Sequence, residues 1–329
     1  MLAKPELARS FALGLALIVT TAAGGTAAES WPQRTVRLIV PNPPGIANDV
    51  IARLFAEKLS EKWKQPVIVE NLPGPDGLVA AREFVRRSDD HTLLYSFAAL
   101  ISINPLTIEK LPYDPAHDLV PIASTSDNFL AIAVSSSLNV NSLAELIQLA
   151  RKRSGQLTWA ATPGVPYYAF AAFQKESGLS MVQAHYRDFN QAITDLREGR
   201  IDAIAAGVLP LLPQARDGKI KFLAFLNGAR SPAAPSVPTM AEEGYPAMKF
   251  EAVTGFFGWR DMPQPLREKI AADIGTVGDQ PEVRERLAKL GSAVRGSTPA
   301  EFAAVIATQR AQIAAIAGEI TKSGVPKQQ

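Results

Sequence analysis

Cysteine is absent from the 329 residues. That excludes disulfides, thiolate metal sites and lipid attachment at a cysteine. Histidine is nearly as scarce, with only His91, His117 and His185. His91 opens a strand-like run and His117 lies in a polar stretch, so both read as solvated or capping residues. No GxSxG elbow lies near His185 to supply a nucleophile. Asp89-Asp90-His91 reads as a solvated turn, because no HExxH or spaced carboxylate loop accompanies it. Nucleotide signatures are missing too: PNPPGI is not GxGxxG, and GxxxxGK(S/T) does not occur. The chain offers no credible catalytic set and implies no metal or cofactor.

Charge of one sign is not in excess either, with a formal balance of +2. A near-neutral chain without a basic run has no electrostatic footprint for nucleic acid. The one long apolar stretch, Phe11 to Val19, falls short of the about 20 residues that span a bilayer. With Lys4 and Arg9 before it and Thr26-Ala27-Ala28 after it, residues 1–28 are expected to be a cleaved signal peptide. Its removal takes Lys4, Arg9 and Glu6 away, leaving a formal charge of +1. The product is then a soluble exported protein. Hydrophobic content of 47% is ample for burial, and about 300 mature residues favour two domains.

What is present is a repeated unit. Thr35 to Leu59 reads as a buried strand, a turn rich in Pro and Gly, and an amphipathic helix in which Val50, Ile51, Leu54, Phe55 and Leu59 share one face. Asn48 is expected to be the helix N-cap, with Asp49 in the first turn. Such a turn leaves the carboxyl end of a strand and aims unpaired N–H groups at a crevice, which suits an anion. Strands at PVIVEN and HTLLYSF and a helix over Leu78 to Arg87 continue the alternation and predict a largely parallel sheet. Ser96 and Phe97 then lie at another carboxyl end. The stretch INPLTIEKLPYDPAHDLVP reads as a connection with at most one short helix.

A second unit begins at FLAIAV, with a capping box at Ser142 to Glu145, the strand LTWA, the turn ATPGVP and a helix closed by Gly178. At most one of Tyr167 and Tyr168 at that helix start is expected to line a crevice while the other packs. Arg82, Arg86 and Arg87 read as a solvated helix face, and Arg187 as surface. FEAVTGFFGW is expected to return to the first domain as a buried strand. Residues 29–126 and 250–329 would therefore form one lobe, 127–249 an inserted second lobe, and the two crossings a hinge.

These segments resemble the periplasmic substrate-binding proteins of tripartite tricarboxylate transporters, the Bug family. The matches run in order over nearly the whole mature chain: WPQRTVRLIVPNPPGIANDV with VENLPGPDG, LPYDPAHDLVPIA, HYRDFNQAITDLREGRID, GKIKFLAF, RSPAAPSVPTMAEEGYP and PEVRERLAKLGSAVRGSTPAEFAA. The resemblance implies a type II periplasmic-binding-protein fold, two α/β lobes joined by a two-strand hinge. It also implies a small carboxylate held in the cleft, monomeric action, and delivery of the ligand to integral-membrane subunits. Carried over by position, the first ligand loop comprises Asn42, Pro43, Gly45, Ile46, Ala47, Asn48 and Asp49. The second comprises Thr162, Gly164, Tyr167 and Tyr168, with Ser96, Phe97, Tyr186 and Gly207 lining the cleft.

The chain departs from the family pattern at three places. Ile46 stands where a second glycine is usual, and Tyr168 where a histidine is usual. Ala205-Ala206-Gly207 lacks a usual acid. The ligand expected is thus a mono- or dicarboxylate without an ammonium group, with an aromatic ring against Tyr167 or Tyr168 as one form. A periplasmic sensor presenting the same solute to a membrane signalling protein remains the alternative role.

Overall fold

A computed structural model describes residues 31–87 and 89–322, and the leader expected over residues 1–28 lies outside them. From the N-terminal side the chain forms β1 (Val36–Val40), α1 (Ala47–Trp63), β2 (Val67–Asn71), α2 (Leu78–Arg87) and β3 (Thr92–Phe97). Two single-turn helices follow, α3 (Ala99–Ser102) and α4 (Asn104–Thr107), where at most one was expected. Next come β4 (Val120–Asn128), β5 (Leu130–Ser135), α5 (Leu143–Lys152), β6 (Thr158–Ala161), α6 (Val165–Ser177) and β7 (Val182–Gln183). The second lobe closes with α7 (Phe189–Arg197), β8 (Ala203–Gly207), α8 (Leu212–Arg216) and β9 (Ile220–Phe225). The return is β10 (Ala252–Gly258), α9 (Gln264–Gly278), α10 (Pro281–Lys289), β11 (Ser292–Val294) and α11 (Pro299–Lys322).

Two sheets result, ordered β11-β4-β10-β3-β1-β2 and β7-β6-β8-β5-β9. Each keeps the parallel trio expected from βαβ units, β2-β1-β3 and β7-β6-β8. The remaining pairings are antiparallel. The reason is the connectivity. A strand arriving from the other lobe enters at the crossing and runs away from it, as β10 and β5 do, whereas β1 to β4, β6, β8 and β9 run toward it; the short edge strand β11 also starts beside Asn128 and runs away.

β1 is buried on both faces, as a strand with helices on either side must be. Val36, Leu38 and Val40 meet Ile51, Phe55 and Ile274 on one face, while Ile39 meets Phe84 and Phe257 on the other. Burying side chains of this size stabilises the fold by roughly 1.5–3 kcal/mol each. Phe256 and Phe257 are fully buried on opposite faces, as expected of a core return strand. In the second lobe, Ile132, Trp159 and Ala205 face α5 and α6, while Ala133, Ala160 and Ile204 face α7.

Helix ends follow local chemistry. Ser142 accepts the Glu145 N–H at 3.2 Å, and Glu145 reaches back to the Asn141 N–H, one residue before the position a capping box predicts. Thr298 and Glu301 make the full reciprocal pair ahead of α11. Thr239 and Glu242 make the same pair around a turn that does not continue as a helix. No helix of the described residues is long and apolar enough to cross a membrane.

The hinge consists of a one-residue link, Phe129, between β4 and β5, and a longer return from β9 to β10. Asn227 ties them: its Oδ1 accepts the Leu130 N–H at 2.8 Å and its Nδ2 donates to the Asn128 carbonyl at 3.1 Å. The last helix also joins the lobes. Phe302 and Ile306 of α11 pack in the first lobe, whereas Ile313 belongs to the core of the second.

Candidate functional site

The two strand-loop-helix turns are built alike. Gly45 (φ +89°) precedes α1 and Gly164 (φ +86°) precedes α6, each in a backbone region that favours glycine. A Cβ on Gly45 would meet nothing within 4 Å, so the dihedral alone demands glycine there. Both turns follow strands that run toward the crossing. β1 is parallel to β3, and β6 is parallel to β8, so Asn42 to Ile46 shares an end with Ser96 and Phe97, and Thr162 to Gly164 shares an end with Gly207. The crossing itself lies at that end of both sheets, because β4 and β5 are separated only by Phe129.

Side chains of α3 and the residue after it reach the second turn and the Gly77 loop, which Pro41 at the start of the first turn also meets. Ile103 Cδ1 lies 3.7 Å from where a Gly164 Cβ would sit, and the Leu100 side chain and Pro41 both pack at Gly77. Ile103 also belongs to the second-lobe cluster that holds Tyr167 and Tyr168. This bridging role was missed in the sequence, where the segment reads as a plain connection. Its only local signal is the run of apolar residues Leu100, Ile101 and Ile103.

Asn48 is not the N-cap of α1. Ile46 holds that position in extended conformation, without a side-chain cap. The capping is done from inside: the Asp49 carboxylate accepts the Gly45 N–H at 2.8 Å, the Asn71 amide at 2.8 Å and Arg53 Nε at 3.1 Å. Asn48 instead donates to Asn42 Oδ1 at 2.6 Å. Burial pushes the Asp49 carboxyl up, but the bonds from Gly45, Asn71 and Arg53, with the Arg53 charge, outweigh it and hold its pKa below the usual range. Arg53 also donates to Asn71 Oδ1 at 2.7 Å, so its guanidinium is committed to the loop's own support.

Gly45 is therefore engaged, contrary to a fully open loop. The N–H groups of Ile46, Ala47 and Asn48 have no partner among the described residues, and neither do those of Gly164, Val165 and Tyr167. The Thr162 N–H is taken by the Ala205 carbonyl at 3.1 Å. Each helix thus turns free donors and the positive end of its dipole outward. Nothing lies within 4 Å of a Cβ placed on Gly207, so that strand end borders open space.

Tyr167 and Tyr168 are both buried, at 4% and 7% exposure, where at most one was expected to line the crevice. The cause is that α6 is covered nearly all round, with Val165 to Phe170 all buried. Trp159 stacks on the Tyr167 ring (5.9 Å, 19°) and Tyr168 meets it edge-on (5.2 Å, 77°). Tyr186 gives its hydroxyl to Asp195 at 2.7 Å. Burial, the bond to Asp195 and that carboxylate's charge push its pKa up to about 12.

Other charged residues settle in structural roles. Arg87, expected to be solvated, forms a two-pronged pair with Glu70 at 2.6 and 2.7 Å and also bonds Glu83. His91 is buried rather than solvated, accepting the Gln33 N–H and contacting Asp90. His117 is exposed beside Asp114. Among the described residues no group of His, Asp and Glu is placed to hold a metal.

Two α/β lobes crossed twice by the chain, with paired strand-loop-helix turns at the crossing, define a type II periplasmic-binding-protein fold. Residues 51–321 match the model of the tripartite tricarboxylate transporter family receptor. The chain belongs to that receptor family, the Bug proteins, and is accordingly a solute-binding receptor rather than an enzyme. It is 31% identical to protein BugT of Bordetella pertussis over 238 residues, 71% of this chain and 73% of that one. Among solved structures, a R. palustris protein with adipate is similar at 26% identity and a TM-score of 0.77, over 88% of this chain and 98% of that chain. MatC of Rhodopseudomonas palustris with bound malate is similar at 26% identity and a TM-score of 0.72, over 87% and 99%.

Proposed function

We propose that this receptor acts in the periplasm as a monomer. It captures a small carboxylate between the Asn42–Asp49 and Thr162–Tyr168 turns and delivers it to integral-membrane subunits of a tripartite tricarboxylate-type transporter. One observation carries the reading: two helix N-termini with free N–H groups, each behind a left-handed glycine, lie at the strand ends that run to the crossing. Donors and dipoles of this kind receive an anion without an arginine clamp, directly or through ordered water. The adipate and malate held by two similar proteins support the ligand class. Ala205, Ala206 and Gly207 bring no acid to the cleft, so an ammonium group finds no countercharge there. Closure is a hinge motion in which the ligand favours the state where both turns touch it.

Thermal-shift screening against a panel of carboxylic and amino acids tests this. A carboxylate at a hundred times its Kd adds about 2.7 kcal/mol of stability and raises Tm, whereas the α-amino analogue of the same acid gives a smaller shift. A larger shift with the amino acid, or none with any carboxylate, would contradict the reading.

A further inference from the structure

The last helix buries one polar side chain in an apolar stripe. Phe302, Ile306, Gln309 and Ile313 follow at steps of four, three and four residues and so share a face of α11. All four are buried, and among the described residues of α11 only Gln309, 4% exposed, is both buried and polar. Phe302 and Ile306 pack in the first lobe and Ile313 in the second, so Gln309 sits where the helix passes between them. A lone polar group in an apolar seam lowers stability but admits one register, the one that satisfies it. Here that register is set from two sides. Nε2 donates to the Glu251 carbonyl on the return from β9 to β10, and Oε1 accepts from Ser102 Oγ on α3.

What Gln309 holds is the segment behind the second ligand turn. Ser102 is fully buried, and the next residue, Ile103, brings Cδ1 to 3.7 Å from where a Gly164 Cβ would sit and packs in one cluster with Val165, Tyr167 and Tyr168. Resting on the reading of a carboxylate receptor, we infer that Gln309 is a positioning residue: it sets α3 against the returning chain so that Ile103 fixes the Thr162–Tyr168 turn, and it raises affinity without touching the ligand. Two other bonds brace this segment, Tyr113 to the Leu100 carbonyl at 2.7 Å and Asn104 to the Asp76 carbonyl at 2.9 Å. Both come from the first lobe, whereas Gln309 joins α3 to the helix that reaches the second. Free amides receive an anion only while they are held at the right aim, so a turn whose backing shifts loses binding although the fold stands.

Isothermal titration with adipate and with malate, on the parent, Gln309→Leu, Gln309→Leu/Ser102→Ala and Val283→Ala, tests this. Gln309→Leu keeps the stripe apolar and leaves Ser102 Oγ the Ala98 carbonyl at 3.0 Å, so the fold should persist. It should weaken binding of the acid that the parent takes by about five- to tenfold. Adding Ser102→Ala should weaken it less than about twofold further, because both changes break one link. Val283→Ala truncates a core residue of α10, which packs on β11 and α9, and should keep the parent affinity whatever it does to the urea midpoint. Amide exchange without ligand gives a second readout. Gln309→Leu should speed exchange at Thr162 and Tyr168, whose N–H groups bond the Ala205 and Gly164 carbonyls, and leave Gly45 and Val50 of the first turn unchanged. Parent affinity in Gln309→Leu, an equal loss in Val283→Ala, or exchange altered equally at both turns would overturn the inference. Failure of the parent to bind either acid counts against the receptor reading instead, and the exchange comparison then decides the positioning role by itself.

Discussion

Asp49 shows how much one side chain carries. It is 1% exposed and holds Gly45, Asn71 and Arg53 together, so it shapes the turn and satisfies its donors at once. Asp49→Ala would take away the shared acceptor of the Gly45 N–H, the Asn71 amide and Arg53 Nε and should cost roughly 1–3 kcal/mol, read as a lower urea midpoint, together with carboxylate binding. The pH dependence has a definite sign. Because the folded carboxyl pKa lies below its unfolded value of about 3.9, the stability it contributes is complete above that pH and is lost as pH falls through the folded value. Acid titration of stability should therefore be shallower in Asp49→Asn than in the parent below pH about 4, and equal slopes would exclude this role. The sequence placed Asp49 in the first turn but gave the cap to Asn48. A carboxylate bonding back across four residues to Gly45 leaves no spacing signature, and Asn71 arrives from a neighbouring strand.

Regular elements were legible where a period could form. Strands buried on two faces and helices with one apolar stripe appear close to their expected bounds. α3 and α4 did not, since a single turn has no periodicity and the surrounding prolines read as a loop. That Tyr167 and Tyr168 would both pack was not legible for a related reason. A one-face argument assumes that solvent covers the other side, and α6 instead has core around it. The hinge is likewise set by a pairing far apart in sequence, Asn227 with Asn128 and Leu130. Asn227 is 5% exposed, and Asn227→Ala strands a buried N–H and a carbonyl at the crossing. The expected result is a loss of about 1–3 kcal/mol in chemical denaturation and a changed rate of ligand release in stopped-flow. An unchanged denaturation midpoint would show that the crossing does not depend on this amide.

At the scale of the whole molecule, α11 adds a third tie to the two chain crossings. It begins among first-lobe residues and ends on the second-lobe core through Ile313. Its Gln309 accepts from Ser102 on α3 and donates to the Glu251 carbonyl just before β10, linking the segment between the turns to the hinge. Lobe movement must therefore rearrange these contacts or be limited by them. Two lobes, a hinge and a crevice at the paired turns were readable from the sequence pattern, and the resemblance added the class of ligand. The packing of the last helix across both lobes follows from three-dimensional proximity that no local pattern encodes.

Hydrogen–deuterium exchange, resolved by residue with and without the tightest-binding carboxylate, tests whether both turns hold one guest. Slowed exchange at Ile46, Ala47 and Asn48 together with Gly164, Val165 and Tyr167 is the expected result, since all six amides lack a partner among the described residues. Protection confined to one turn, or found only away from both, would contradict it.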